Sequence, residues 1–96
     1  VKAALDPLLV APARLTLMTM LTAVSEAEFS TLRDRLDVSD SVLSKHLSTL
    51  ADAGYVTTRK GTRHGTRTTW VALTTAGRTA LRGHAAYLRA LIAGVE

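Results

Sequence analysis

The chain has 96 residues, 47% of them hydrophobic and 21% charged, which suits one small domain and excludes a disordered tail. It holds no cysteine, which excludes disulfides, thiolate zinc sites, iron–sulfur clusters and thiol catalysis, and fits a reducing, cytoplasmic setting. Its net charge of +4 is unevenly placed: residues 1–52 carry five basic and seven acidic side chains, residues 53–96 seven basic and one acidic, which points to a polyanionic partner.

No apolar run is long enough to span a bilayer, and Val1 to Val10, which includes Asp6 and Pro7, lacks the layout of a signal peptide. The chain starts on valine, so trimming of preceding residues is expected. Leu5, Leu8 and Leu9 predict a short helical segment over about residues 3–10. Pro12 suits the first turn of a helix, where its missing N–H costs nothing. Leu15, Met18 and Leu21 at helical spacing, with Leu17 and Met20 beside them, predict a core helix over about 12–24. Ser25 to Glu28 breaks it, and Phe29 anchors the link with a brief strand pairing. Ser30 is read as the N-cap of a short helix over 31–36, with Leu32 and Leu36 inward.

Asp37 tolerates the positive φ that a tight helix–helix turn needs, and Val38 plugs the core behind it. Ser39 is a second N-cap, with Asp40 in the first turn where the helix dipole favours a carboxylate. The next helix spans about 40–53, with Val42, Leu43, His46, Leu47 and Leu50 as its inward stripe, and Gly54 ends it. Tyr55 to Lys60 and Thr68 to Leu73 read as strands, the latter with Trp70 on one face and Val71 and Leu73 on the other. Between them Gly61 to Arg67 reads as a basic, glycine-flanked turn. Thr74 or Thr75 caps a last helix over about 76–93.

This order, mainly α with one β-hairpin, predicts a winged helix-turn-helix over 1–96 as a single domain. Its terminal helices (about 3–24 and 76–93) are expected to form the core and a dimer interface. In a helix-turn-helix the second helix lies in the major groove of double-stranded DNA. The residues placed to face it are Ser39, Asp40, Ser41, Ser44, Lys45 and Ser48, whose small hydroxyls let the helix backbone approach. The hairpin over 59–68 supplies Arg59, Lys60, Arg63, His64 and Arg67 for phosphates or the minor groove.

The run Val38-Ser39-Asp40-Ser41-Val42-Leu43-Ser44-Lys45-His46-Leu47, followed by Leu50 and Ala53-Gly54-Tyr55-Val56, resembles the recognition helix of ArsR- and MarR-type winged-helix regulators. Leu73-Thr74-Thr75-Ala76-Gly77-Arg78 is similar to their strand-to-helix junction. The resemblance covers about residues 12–96. It implies a bacterial transcriptional regulator, usually a homodimer on a palindromic operator. By position it makes Ser41, Ser44, Lys45 and Ser48 groove-facing and Arg63 and Arg67 wing residues. Metal sensors of the ArsR type carry cysteine pairs or His/Asp clusters. Here cysteine is absent and His46, His64 and His84 are scattered, so no metal and no cofactor is expected, and His46 is read as a hydrogen-bonded core histidine.

Leu81, Ala85, Leu88, Ile92 and Val95 form a heptad seam of two heptads, with Arg78, Arg82 and Arg89 placed on the other side. Together with Leu5, Leu8 and Leu9, the seam is the expected homodimer surface. No nucleophile elbow, phosphate-cradling glycine loop or paired-carboxylate motif occurs, so an enzyme is not expected. Two alternatives stay open: a protein-interaction module that uses the terminal helices without DNA, and a small-molecule effector whose pocket no pattern specifies.

Overall fold

The computed structural model describes residues 2–95. The chain makes one 3₁₀ turn (Pro7–Leu9), then α1 (Pro12–Leu21), β1 (Ala27–Glu28), α2 (Phe29–Leu36), α3 (Asp40–Asp52), β2 (Val56–Arg63), β3 (Thr66–Leu73) and α4 (Thr75–Ile92). The strands form one antiparallel sheet in the order β1-β3-β2. A helix pair, a hairpin and a closing helix in this order make the winged helix fold that the sequence predicts.

The N-terminal segment departs from expectation. Only Pro7–Leu9 is helical, and Asp6 caps that turn by accepting from the Leu8 amide at 2.9 Å. The preceding amides are spent elsewhere. Ala4 N–H donates to the Gly83 carbonyl and Asp6 N–H to His84 Nδ1, each at 3.0 Å. The Tyr55 hydroxyl donates to the Asp6 carboxylate. Residues 4–6 thus strap α4 to the end of α3, and Gly83 lets them lie close: a Cβ there would sit 3.1 Å from the Lys2 carbonyl.

α1 ends at Leu21, short of Val24: the Thr22 and Ala23 amides donate to the Thr19 and Met20 carbonyls three residues back, which tightens the last turn. Ala27 and Glu28 pair with Val71 and Trp70, so the brief strand precedes Phe29 instead of including it. That pairing holds Glu28 extended, and α2 starts directly after it at Phe29, which places Ser30 inside the first turn and not at the cap. Asp37 takes φ 55° at the end of α2, as the tight turn requires. Its amide donates to the Asp34 carbonyl and the Val38 amide to the Arg33 carbonyl, so two carbonyls in the last turn of α2 are satisfied. Ser39 Oγ then caps α3 by accepting from the Val42 amide at 3.2 Å. The same pair of bonds ends α3, from Gly54 (φ 79°) to Ala51 and from Tyr55 to Leu50.

The core joins Leu17, Met18 and Leu21 of α1 to Leu32 of α2, Leu43, Leu47 and Leu50 of α3, and Val56 and Val71 of the sheet. Leu81 of α4 and Leu9 close it. Val42, read as inward, is 42% exposed, because the buried stripe is centred one position round the helix on Leu43, Leu47 and Leu50. α4 packs so tightly on the α3–β2 junction that a Cβ on Gly77 would lie 2.2 Å from the Tyr55 carbonyl oxygen. One hydroxyl fixes that contact: Thr74 Oγ1 donates to the Gly54 carbonyl at 2.6 Å and accepts from the Gly77 amide at 2.9 Å.

Candidate nucleic-acid interface

Burial of Leu43, Leu47 and Leu50 turns the opposite face of α3 to solvent, and Asp40, Ser41, Ser44, Lys45 and Ser48 are all exposed there. Two of the predicted contact residues also have structural tasks. Ser39 holds the cap and lies 3.2 Å from Ser41 Oγ. Asp40 accepts from Arg33 Nη1 at 2.9 Å, and Arg33 Nε donates to Asp34 at the same distance. Arg33 therefore pins the start of α3 to α2, and these carboxylates raise its pKa further, Asp34 contributing most.

The hairpin is longer and more regular than predicted. Eight residues of β2 pair with eight of β3, and the turn is only His64–Gly65, with φ 51° and 79°. Positive φ at both central residues is what a two-residue type I′ turn needs, and it matches the twist of the strands. Gly61, read as a turn residue, lies within β2 opposite Thr68. Its missing side chain clears space for its neighbours, since a Cβ there would come within 3.0 Å of Trp70 Cδ1 and 2.8 Å of Arg59 Nη1.

Strand alternation divides the basic residues between two faces. Arg59 and Arg63 share one face with Trp70. Arg59 donates through Nε to Glu26 at 3.0 Å, makes a second bond to the same carboxylate, and lies 5.5 Å from the Trp70 ring centre. That hydrogen bonding holds the Glu26 carboxyl below its usual pKa. Arg63 pairs with Glu28. Thr58, Lys60 and Arg67 share the other face with Thr69. There Lys60 Nζ donates to Thr69 Oγ1 at 3.0 Å. Among the described residues, Lys45, Lys60 and Arg67 join no ion pair.

A cleft of about 260 Å³ between α3 and the hairpin brings Ser44 and Ser48 together with Lys60 and Thr69. Arg63, His64 and Arg67 meet at a second cleft, beside Glu28 and Ser30 near the hairpin tip. The sequence reading missed Glu26 and Glu28 as partners of the wing arginines. Their period-two spacing next to a short strand was the available signal.

The histidines stay apart. His46 Nδ1 accepts from Arg14 Nη1 at 3.3 Å, and burial, then the charges of Arg14 and Lys45, lower its pKa. His84 is buried on the N-terminal strap. Among the described residues no three His, Cys, Asp or Glu side chains converge as metal ligands, and no helix is long and apolar enough to cross a membrane.

The residues read as a dimer surface also divide. Leu9 (0% exposed) and Leu81 are in the chain's own core, because the 3₁₀ turn and the first half of α4 fold back on α1. Ala85 and Leu88 line a cleft of about 440 Å³ with Leu15 and Thr19 of α1. Arg82 and Arg89 line that same cleft and do not lie on the far side of α4. Leu8 is half-buried, whereas Leu5 (51%), Ile92 (49%) and Val95 (81%) are exposed, as are Val10 and Leu91.

Comparison with known proteins agrees with this geometry. The winged helix DNA-binding domain family matches residues 13–92. An uncharacterized protein of Methanocaldococcus jannaschii is 30% identical over 71 residues, 74% of this chain and 77% of that protein. The structure of a transcriptional regulator homologue from Pyrococcus horikoshii OT3 superposes with a TM-score of 0.86 at 29% identity, covering 93% of this chain and 88% of that one. The Mycobacterium tuberculosis transcriptional regulator MosR, solved in complex with DNA, has the same fold, with a TM-score of 0.73 at 21% identity over 93% of this chain and 63% of its own. This chain belongs to the winged helix DNA-binding domain family.

Proposed function

We propose that the protein is a transcriptional regulator that binds specific double-stranded DNA as a homodimer. α3 enters the major groove through Ser41, Ser44, Lys45 and Ser48, and the wing meets the backbone and the adjacent minor groove through Lys60, His64 and Arg67. The observation that carries this reading is the face made by the serine-and-lysine side of α3 together with Lys60 and Arg67 of the hairpin, which join no ion pair among the described residues. Small hydroxyls permit close backbone approach, and cations replace counterions along the phosphates. Arg59 and Arg63 brace the wing against Glu26 and Glu28, so their charges are compensated before DNA arrives. The exposed apolar end of α4, with Leu5 and Val10, supports self-association.

Selection of bound duplexes from random and genomic pools tests the reading. Enriched sequences should share an inverted repeat with half-sites about 10–10.5 base pairs apart, as twofold symmetry and one DNA turn dictate. Lys45→Ala should weaken the enriched duplex more than random DNA. Self-association without enrichment of any sequence would favour a protein-interaction module instead.

A further inference from the structure

The gap between α3 and the wing has an apolar floor of Phe29, Leu47 and Ala51 and a polar rim of hydroxyls and one ammonium. In B-DNA a ridge of phosphates separates a major groove about 12 Å wide from a minor groove about 6 Å wide. A protein with α3 in the first and its hairpin over the second straddles that ridge. The cleft at this point encloses about 260 Å³, and its polar groups come from Ser44 and Ser48 of α3 and from Thr58, Lys60 and Thr69 of the hairpin. Lys60 is exposed, is steadied by Thr69 Oγ1, and joins no ion pair among the described residues. The strand cations on the opposite face, Arg59 and Arg63, already have Glu26 and Glu28. The cleft thus combines one uncompensated positive charge with hydroxyl donors from two elements, the donor set that a monoanionic phosphodiester requires.

We infer that this cleft seats one backbone phosphate of the ridge, gripped by the Lys60 ammonium and the Thr69 and Ser48 hydroxyls. The inference rests on the DNA-binding reading and adds to it where the backbone is held. Such a contact is blind to sequence. It sets the depth and register of α3 in the groove, from which Ser41, Ser44 and Lys45 read base edges.

The test uses a duplex that the protein has enriched, rebuilt with single methylphosphonate linkages, each of which removes one phosphate charge. For the native protein, one linkage in each half-site should weaken binding by roughly tenfold. With Lys60→Gln that linkage should cost nothing further, while the others cost what they did before. Thr69→Val should cancel the same linkage in part, and Arg63→Gln should leave its cost unchanged. Lys60→Gln should also make the dependence of log K on log salt shallower by about 0.9 per protomer. Circular dichroism checks that each variant is folded. If Lys60→Gln leaves every linkage as sensitive as before, the inference is overturned while the DNA reading stands. If the native protein enriches no duplex, both fall together.

Discussion

The Tyr55 side chain makes a hydrogen bond with a consequence for pH. Its hydroxyl donates to Asp6, and that bond, reinforced by burial and by the carboxylate charge, pushes its pKa up to about 12. A tyrosine ordinarily titrates near about 10. The folded state therefore favours the protonated phenol, so its stabilisation is complete below about pH 10 and is lost as pH rises towards 12. Tyr55→Phe should cost about 1–2 kcal/mol at neutral pH and should lose less stability than the native protein between pH 10 and 12. Denaturant midpoints measured across that range check it. Gly77 is constrained more severely. A methyl group there would press on the Tyr55 carbonyl, which is backbone and cannot swing aside. Gly77→Ala should destabilise by about 1–3 kcal/mol, seen as a lower denaturant midpoint with an unchanged slope.

At the scale of elements the wing is set by its turn. His64 and Gly65 both sit at positive φ, which costs glycine little and other residues more. Gly65→Ala should therefore lower stability by about 1 kcal/mol although the Cβ would meet no neighbour, a strain effect that thermal denaturation can measure. The caps of α3 and α4 and the α2–α3 turn were legible in the sequence because Ser39, Thr74 and Gly54 announce themselves by residue type and Asp37 by tolerance of positive φ. Ser30 misled, since the β1–β3 pairing makes Glu28 the cap of α2. The hairpin was legible in kind but not in length. The basic residues from Arg59 to Arg67 resemble a loop in composition, whereas the two-residue His64–Gly65 turn was the true signal. Once the register is known, alternation splits those cations into a braced pair and an open set. No count of charges could have shown that division, since it depends on Glu26 and Glu28, which reach the wing only through the β1–β3 pairing. The N-terminal strap was hidden for a similar reason. Its leucines mimic helical spacing, but its amides are taken by Gly83 and His84, far away in sequence.

As a whole the molecule is extended. Its radius of gyration of 14.2 Å exceeds the roughly 12.5 Å of a compact chain of this length. Part of the exposed apolar surface gathers at the C-terminal end of α4 and just beyond it, at Leu91, Ile92 and Val95. The proposed homodimer would cover them. Ile92→Glu should then shift the protein from dimer to monomer in sedimentation equilibrium while leaving its circular dichroism unchanged. A dimer would also bring two copies of the open cation set, Lys45, Lys60 and Arg67, onto one operator. Four phosphate contacts, from Lys60 and Arg67 of each protomer, predict a slope of about −3.6 for log K against log salt on the enriched duplex. Measuring that slope is the most direct test of the account. A value of about −3.6, with binding lost steeply between low and physiological salt, is the predicted result. A slope near zero, or no binding to any duplex at low salt, would contradict it.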